Sequence, residues 1–181
     1  MTVIDDEKLS ISPYIRWLEF SCILPSVQPP QDDVLRAQGS QAPHDYGAMF
    51  SLNNLVFGIV GGRCPNAPIE KVRLVVDELA ANPNFSASQA DLLFYQALLL
   101  ASAEDFVAVA ALATESFRLR ADVRVALYQI NWLIRGDQIA TATSLLQSLD
   151  RTYSDEIAAS VELSGRYQFL QNRLQTISES N

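Results

Sequence analysis

The segment LLFYQALLLASAEDFVAVAALATESF, Leu92 to Phe117, constrains the fold more than any other part of the chain. It is mostly apolar, so it is a membrane span, one long buried helix, or two helices folded against each other. A membrane helix needs about 20 uninterrupted apolar residues. Here Glu104-Asp105 interrupts the run directly after Ala103. An acidic pair at the centre of a span costs about 2.5–3.5 kcal/mol per charge even on the lenient insertion scale. The membrane reading is therefore rejected, and membrane insertion is not expected.

The next block, VALYQINWLIRGDQIATATSLLQSLD, Val125 to Asp150, has the same outline. Tyr95-Gln96 is matched by Tyr128-Gln129 and Glu104-Asp105 by Gly136-Asp137, a spacing of about 33 residues that suits a two-helix repeat. Ala108 and Ala110 are matched by Ala140 and Ala142, and Leu112 by Leu145. Gly136-Asp137 is a credible turn, because a glycine inside a helix costs about 1 kcal/mol. If the second block is a helical hairpin, the first is expected to be one too, with Glu104-Asp105 at its corner.

These blocks resemble the tetratricopeptide repeat family. LYQINWLIRGDQIATATSLL carries the resemblance, and FYQALLLASAEDFVAVAALA carries it more weakly. Leu133 stands where the family has a bulky residue before its turn, Gly136-Asp137 at the turn, and Ala142 where a small residue lets helices approach. The family's tryptophan-leucine-glycine start is missing, and no proline follows Leu149. The resemblance implies an all-α fold of antiparallel helical hairpins stacked as a short array. In size, charge and repeat content the chain also resembles the small acidic bacterial chaperones of type III secretion, which keep aggregation-prone subunits soluble before export. A cytoplasmic interaction protein is the function implied.

The rest of the chain divides by composition. Residues 1–24 read as an N-terminal helical arm, with Pro13 at the first helical position and Ser12 as its cap. PYIRWLEFSCIL is apolar almost all round, which suits a buried helix or one docked on a partner. Residues 25–44 read as a proline-rich linker, with a short helical turn around Asp32–Gln38. Residues 45–181 form the helical repeat-like domain. Within it a helix from Asp45 to Val60 is stopped by Gly61-Gly62. Another carries Ile69, Val72, Val75, Val76 and Leu79 on one face and ends at Asn82-Pro83. Ser88 is placed to cap the next. Ser154-Asp155-Glu156 is expected to open a further helix, and RYQFLQNRLQTI to close the array.

Chemistry is sparse. The net charge of −8 disfavours binding to nucleic acid or to anionic lipid. MTVIDDEKLS lacks the order of a signal peptide, so a cytoplasmic location is the default expectation. Cys22 and Cys64 fit no zinc spacing and read as small buried hydrophobes, with no support for a disulfide. His44 is the single histidine, which argues against two-histidine metal motifs and reads as a surface or capping residue. No catalytic, cofactor or metal residue is assigned.

A repeat pair has a concave side on which surplus aromatics make an anchor groove for an amphipathic helix or extended segment. Tyr95, Tyr128 and Trp132 are the candidates for it, Tyr128 and Trp132 sharing one face by their spacing. Arg124 and Arg135 flank the hairpins and suit an acidic peptide or a carboxylate terminus. Trp17 and Phe20 are the arm's candidates for self-association or partner docking, in a homo- or hetero-oligomer. The alternative is a small all-α enzyme or ligand-binding regulator. Its pocket would lie between the hairpins and helix 45–60, with His44, Tyr46 and Arg63 as polar groups.

Overall fold

The computed structural model describes residues 10–24, 33–101 and 104–180. Among the described residues there are nine α-helices, one short 3-10 helix and no strand. None of these helices is long and apolar enough to cross a membrane. The chain forms two compact units, Met1–Leu99 and Leu100–Asn181. The units part between Leu99 and Leu100, within the apolar run, and residues 25–32 of the proline-rich segment lie outside the described residues.

Unit 1 contains α1 (Ser12–Ile23), α2 (Asp33–Ser40), α3 (Tyr46–Val60), α4 (Ile69–Ala81), the 3-10 helix (Pro83–Ser88) and nearly all of α5 (Gln89–Leu100). α1 buries Tyr14, Ile15, Leu18 and Cys22, one face at helical spacing, and packs on α3. Ser12 is not the cap but the first helical residue: the N-cap is Ile11, which makes no side-chain bond, and the Ser12 N–H donates to Ser10 Oγ at 3.1 Å. α3 is capped by Asp45, which accepts from the Ala48 N–H at 3.1 Å, and ends at Gly61. Gly62 follows at φ +70, a left-handed conformation that favours glycine, so the expected stop is a real one.

Polar side chains hold the joints of this unit. The Asn82 amide donates to the carbonyls of Ser40 and Ala42, and its oxygen accepts from the Asn84 N–H at 2.9 Å. Arg36 on α2 pairs with Glu78 on α4 at 3.1 Å. Asp45 also accepts a hydrogen bond from the Ser10 hydroxyl. Its carboxyl lies below its ordinary pKa: burial pushes up, but the bonds from Ser10, Ala48 and Gly47 outweigh it. Against expectation, Cys22 and Cys64 are joined in a disulfide.

Unit 2 is simpler. It comprises α6 (Phe106–Leu119), α7 (Val123–Arg135), α8 (Ile139–Ala159) and α9 (Val161–Glu179). Each helix packs on the next, and α7 also meets α9. The joints after α6 and α7 are too short for anything but antiparallel neighbours. Side chains of Asp105, Asp122 and Ser160 cap α6, α7 and α9 by accepting from the N–H groups of Ala108, Arg124 and Leu163. Leu127, Ile130, Leu146, Leu149, Leu170 and Leu174 belong to one buried cluster. Each such side chain contributes about 1.5–3 kcal/mol by leaving water.

The expected fold-back at Gly136-Asp137 is present, α8 packing on α7, and at Glu104 the backbone takes a left-handed turn. Glu104 stands at φ 62 and Asp137 at φ 59, the only non-glycine residues with positive φ among those described. The first bend falls beside the boundary between units, so its flanking helices α5 and α6 belong to different bodies. The second joins α7 to α8 within unit 2, and Phe106 packs against Gly136 there, leaving little room for a side chain. The expected helix start at Ser154 is present: α8 is two helices joined across a kink at Tyr153 (φ −128, ψ 21), the second running to Ala159. A further break, not expected, comes at Ser160, whose hydroxyl caps α9.

Candidate functional site

α7 has two faces. Val123, Ala126, Leu127, Ile130, Leu133 and Ile134 point into the core. Arg124, Tyr128, Asn131 and Arg135 form the opposite stripe, spaced at i, i+4, i+7 and i+11, and are exposed or half-buried. α9 presents a matching stripe of Arg166, Phe169 and Arg173 at i, i+3 and i+7. The stripes meet in register: the Arg166 guanidinium lies 4.5 Å over the Tyr128 ring, and Arg173 donates to Asn131 Oδ1 at 3.1 Å. Both contacts ascend along both helices, so α7 and α9 run in the same direction.

Between the stripes lies a depression of about 140 Å³ lined by Leu127, Tyr128, Asn131, Arg166, Phe169 and Leu170. Phe169 stands at its edge, 59% exposed. Arg124 is already held by Asp122 at 2.9 Å and Arg166 by Glu162 at 3.3 Å. The Asp122 carboxyl lies below its ordinary pKa. Burial pushes it up, but the bond and positive charge of Arg124 win. Arg135 stacks 4.3 Å over Phe106. Among the described residues Arg135 and Arg173 have no carboxylate partner.

The expected partner residues separate accordingly. Tyr128, Arg124 and Arg135 lie on the stripe. Trp132 is 3% exposed, its ring centroid 5.6 Å from that of Tyr128, and it is not a member of the buried cluster on the core face of α7. Tyr95 is 4% exposed in unit 1, its hydroxyl donating to Asn53 Oδ1 at 3.0 Å. Trp17 is half-buried under the Lys71 ammonium, 5.4 Å from its ring, whereas Phe20 is 60% exposed on α1. Phe169, Arg166, Arg173 and Asn131 went unrecognised in the sequence. Their spacing on α9 was visible, but only the packing of α7 on α9 shows that the two stripes adjoin.

A wider trough of about 560 Å³ runs between α8 and α9 and is walled by Thr143, Gln147, Gln171 and Gln175. Its charged groups are Asp150 and Arg151. Tyr167 donates to Asp150, and its hydroxyl pKa is raised, first by burial and then by that negative charge. The trough is larger but carries no exposed aromatic anchor and no cation opposed across it, so the α7/α9 face is the better site.

The polar trio of the enzyme alternative does not converge. His44 is packed between Tyr46 and Phe85, with ring centroids 4.3 and 4.8 Å away, and its Nε2 meets Ser88 Oγ at 2.8 Å. Arg63 follows the far end of α3, about 20 Å along the helix from Tyr46. Cys64 is disulfide-bonded and is no free thiol.

Comparison of the chain with family models, with curated proteins and with solved structures gives no match.

Proposed function

We propose that this chain is a protein-interaction module, and that the α7/α9 face holds a segment of a protein partner. One observation carries the reading: an exposed aromatic, Phe169, beside an apolar depression with Arg166 in its wall and Arg173 bonded to Asn131 at its rim, in a chain of net charge −8. Arginine forks recognise carboxylates, and exposed aromatics beside a pocket act as anchors. The occupant is a peptide segment with one apolar side chain next to an acidic one. The apolar side chain fills the depression against Tyr128, and the acid meets Arg173.

Supporting the tetratricopeptide-like version are the short joints of unit 2, the packing of each helix on the next and of α7 on α9, and a shared detail of the two blocks. Gln96 donates to Asp77 on the preceding helix and Gln129 donates to Thr114 on its own, both at 2.7 Å. The narrower version, a chaperone of type III secretion, rests on size and acidic charge. Its cytoplasmic setting depends on the state of Cys22 and Cys64.

The test is a peptide-display selection against the full chain, followed by fluorescence anisotropy with the selected peptides. Phe169→Ser and Arg173→Glu are each expected to weaken binding at least about tenfold, the size of a modest hot spot. Arg151→Glu, on α8, should leave it unchanged. Equal affinity for all three variants would remove the site.

A further inference from the structure

We infer that Cys22–Cys64 is a native structural clip that fastens α1 to the end of α3, and that this chain matures in an oxidising compartment. Three observations converge on it. The two residues are separated by 42 positions, yet their Cα atoms lie 4.6 Å apart, within the range a disulfide requires. Both are buried, on α1 and in the turn that follows α3. α3 has a glycine where the sulfur lands: a Cβ on Gly58 would lie 2.7 Å from Cys64 Sγ. Any larger residue there would push the Cys64 sulfur away.

The clip matters because it adds a covalent tie to the apolar face by which α1 packs on α3. α1 is a helix of 12 residues whose N-cap makes no side-chain hydrogen bond. Helices of this length are marginal alone and depend on tertiary contacts. α1 reaches its neighbours through Ile15, Leu18 and Tyr14, and its outer side carries Phe20. In a reducing cytosol a dithiol donor would transfer two electrons and two protons. The Cys22–Cys64 S–S bond would break, two S–H groups would form, and the donor would become a disulfide. α1 would then be held by its apolar face alone. Structural disulfides persist in oxidising compartments and are rare in the cytosol. The clip therefore replaces the default expectation of a cytoplasmic location.

The test uses the full chain recovered from the cells that make it, with N-ethylmaleimide present from lysis. It is then unfolded without reductant and weighed by mass spectrometry. The expected result is no maleimide adduct, with two appearing when reductant precedes labelling. Two adducts without reductant would overturn the inference. A second arm compares melting temperatures. Reductant should lower that of the parent chain by about 5–10 °C and leave Cys22→Ser/Cys64→Ser unmoved. An unchanged parent would show that the bond fastens nothing.

Discussion

The two units solve one problem, holding short helices together, in opposite ways. Unit 1 ties distant parts of the chain with individual groups. A disulfide spans 42 residues, Asn82 reaches back to Ser40 and Ala42, and His44 meets Ser88. Unit 2 uses neighbours. Its helices follow one another through short joints and share one continuous apolar cluster, and α6, α7 and α9 start on aspartate or serine caps. A fold built from local contacts tolerates the loss of a single polar group, because no one bond closes a long loop. A fold tied at a distance concentrates its stability in a few bonds.

The largest expected effect is at a buried ring of α7. Trp132→Ala should cost about 3–5 kcal/mol, because the ring is buried and its removal leaves a cavity. Urea denaturation measures it. A cost under about 1 kcal/mol would place the ring on the binding face after all. In unit 1, Cys22→Ser should cost about 2–4 kcal/mol through the reopened loop, read in the same way. Asn82→Ala is expected to cost about 1–3 kcal/mol, since the carbonyls of Ser40 and Ala42 lose their buried donor. Asp105→Ala in unit 2 should cost only about 1 kcal/mol, the ordinary value of a lost cap. If Asp105 proved the costlier of these two, the contrast between the units would be reversed.

Acid provides the smallest and most even perturbation. Asp45 caps α3 and Asp122 caps α7, and both carboxyls sit below their ordinary pKa in the folded chain. Their ionised forms therefore favour folding. That stabilisation is complete above the ordinary carboxylate range and disappears as pH falls through about 4 and below. Melting temperature should decline over that window in the parent and decline less in Asp45→Asn or Asp122→Asn. An identical acid profile in all three chains would mean that neither cap carries the ionised bonds described.

How much of this the sequence revealed follows from the same contrast. The bends at Glu104 and Asp137, the stop at Gly61-Gly62 and the amphipathic faces of α4 and α7 are local features. Periodicity and turn chemistry report them. The disulfide was not legible, because two cysteines 42 residues apart show no spacing signal until helices bring them together. The same holds for the binding face. Tyr128, Arg124 and Arg135 stood out on α7, whereas Phe169 and Arg173 gain meaning only from the helix they adjoin. Trp132, four residues after Tyr128, is buried by neighbours that the spacing along α7 does not reveal. The helix start at Ser154-Asp155-Glu156 was legible and follows the kink at Tyr153, whereas the second break at Ser160 was not foreseen.

Hydrogen exchange, read residue by residue before and after reduction, tests the contrast most directly. The account predicts that reduction speeds amide exchange at least about tenfold in Ser12–Ile23 and around Cys64, while Val123–Arg135 and Ile139–Ala159 keep their protection. Equal loss in all four segments, or none in Ser12–Ile23, would contradict it.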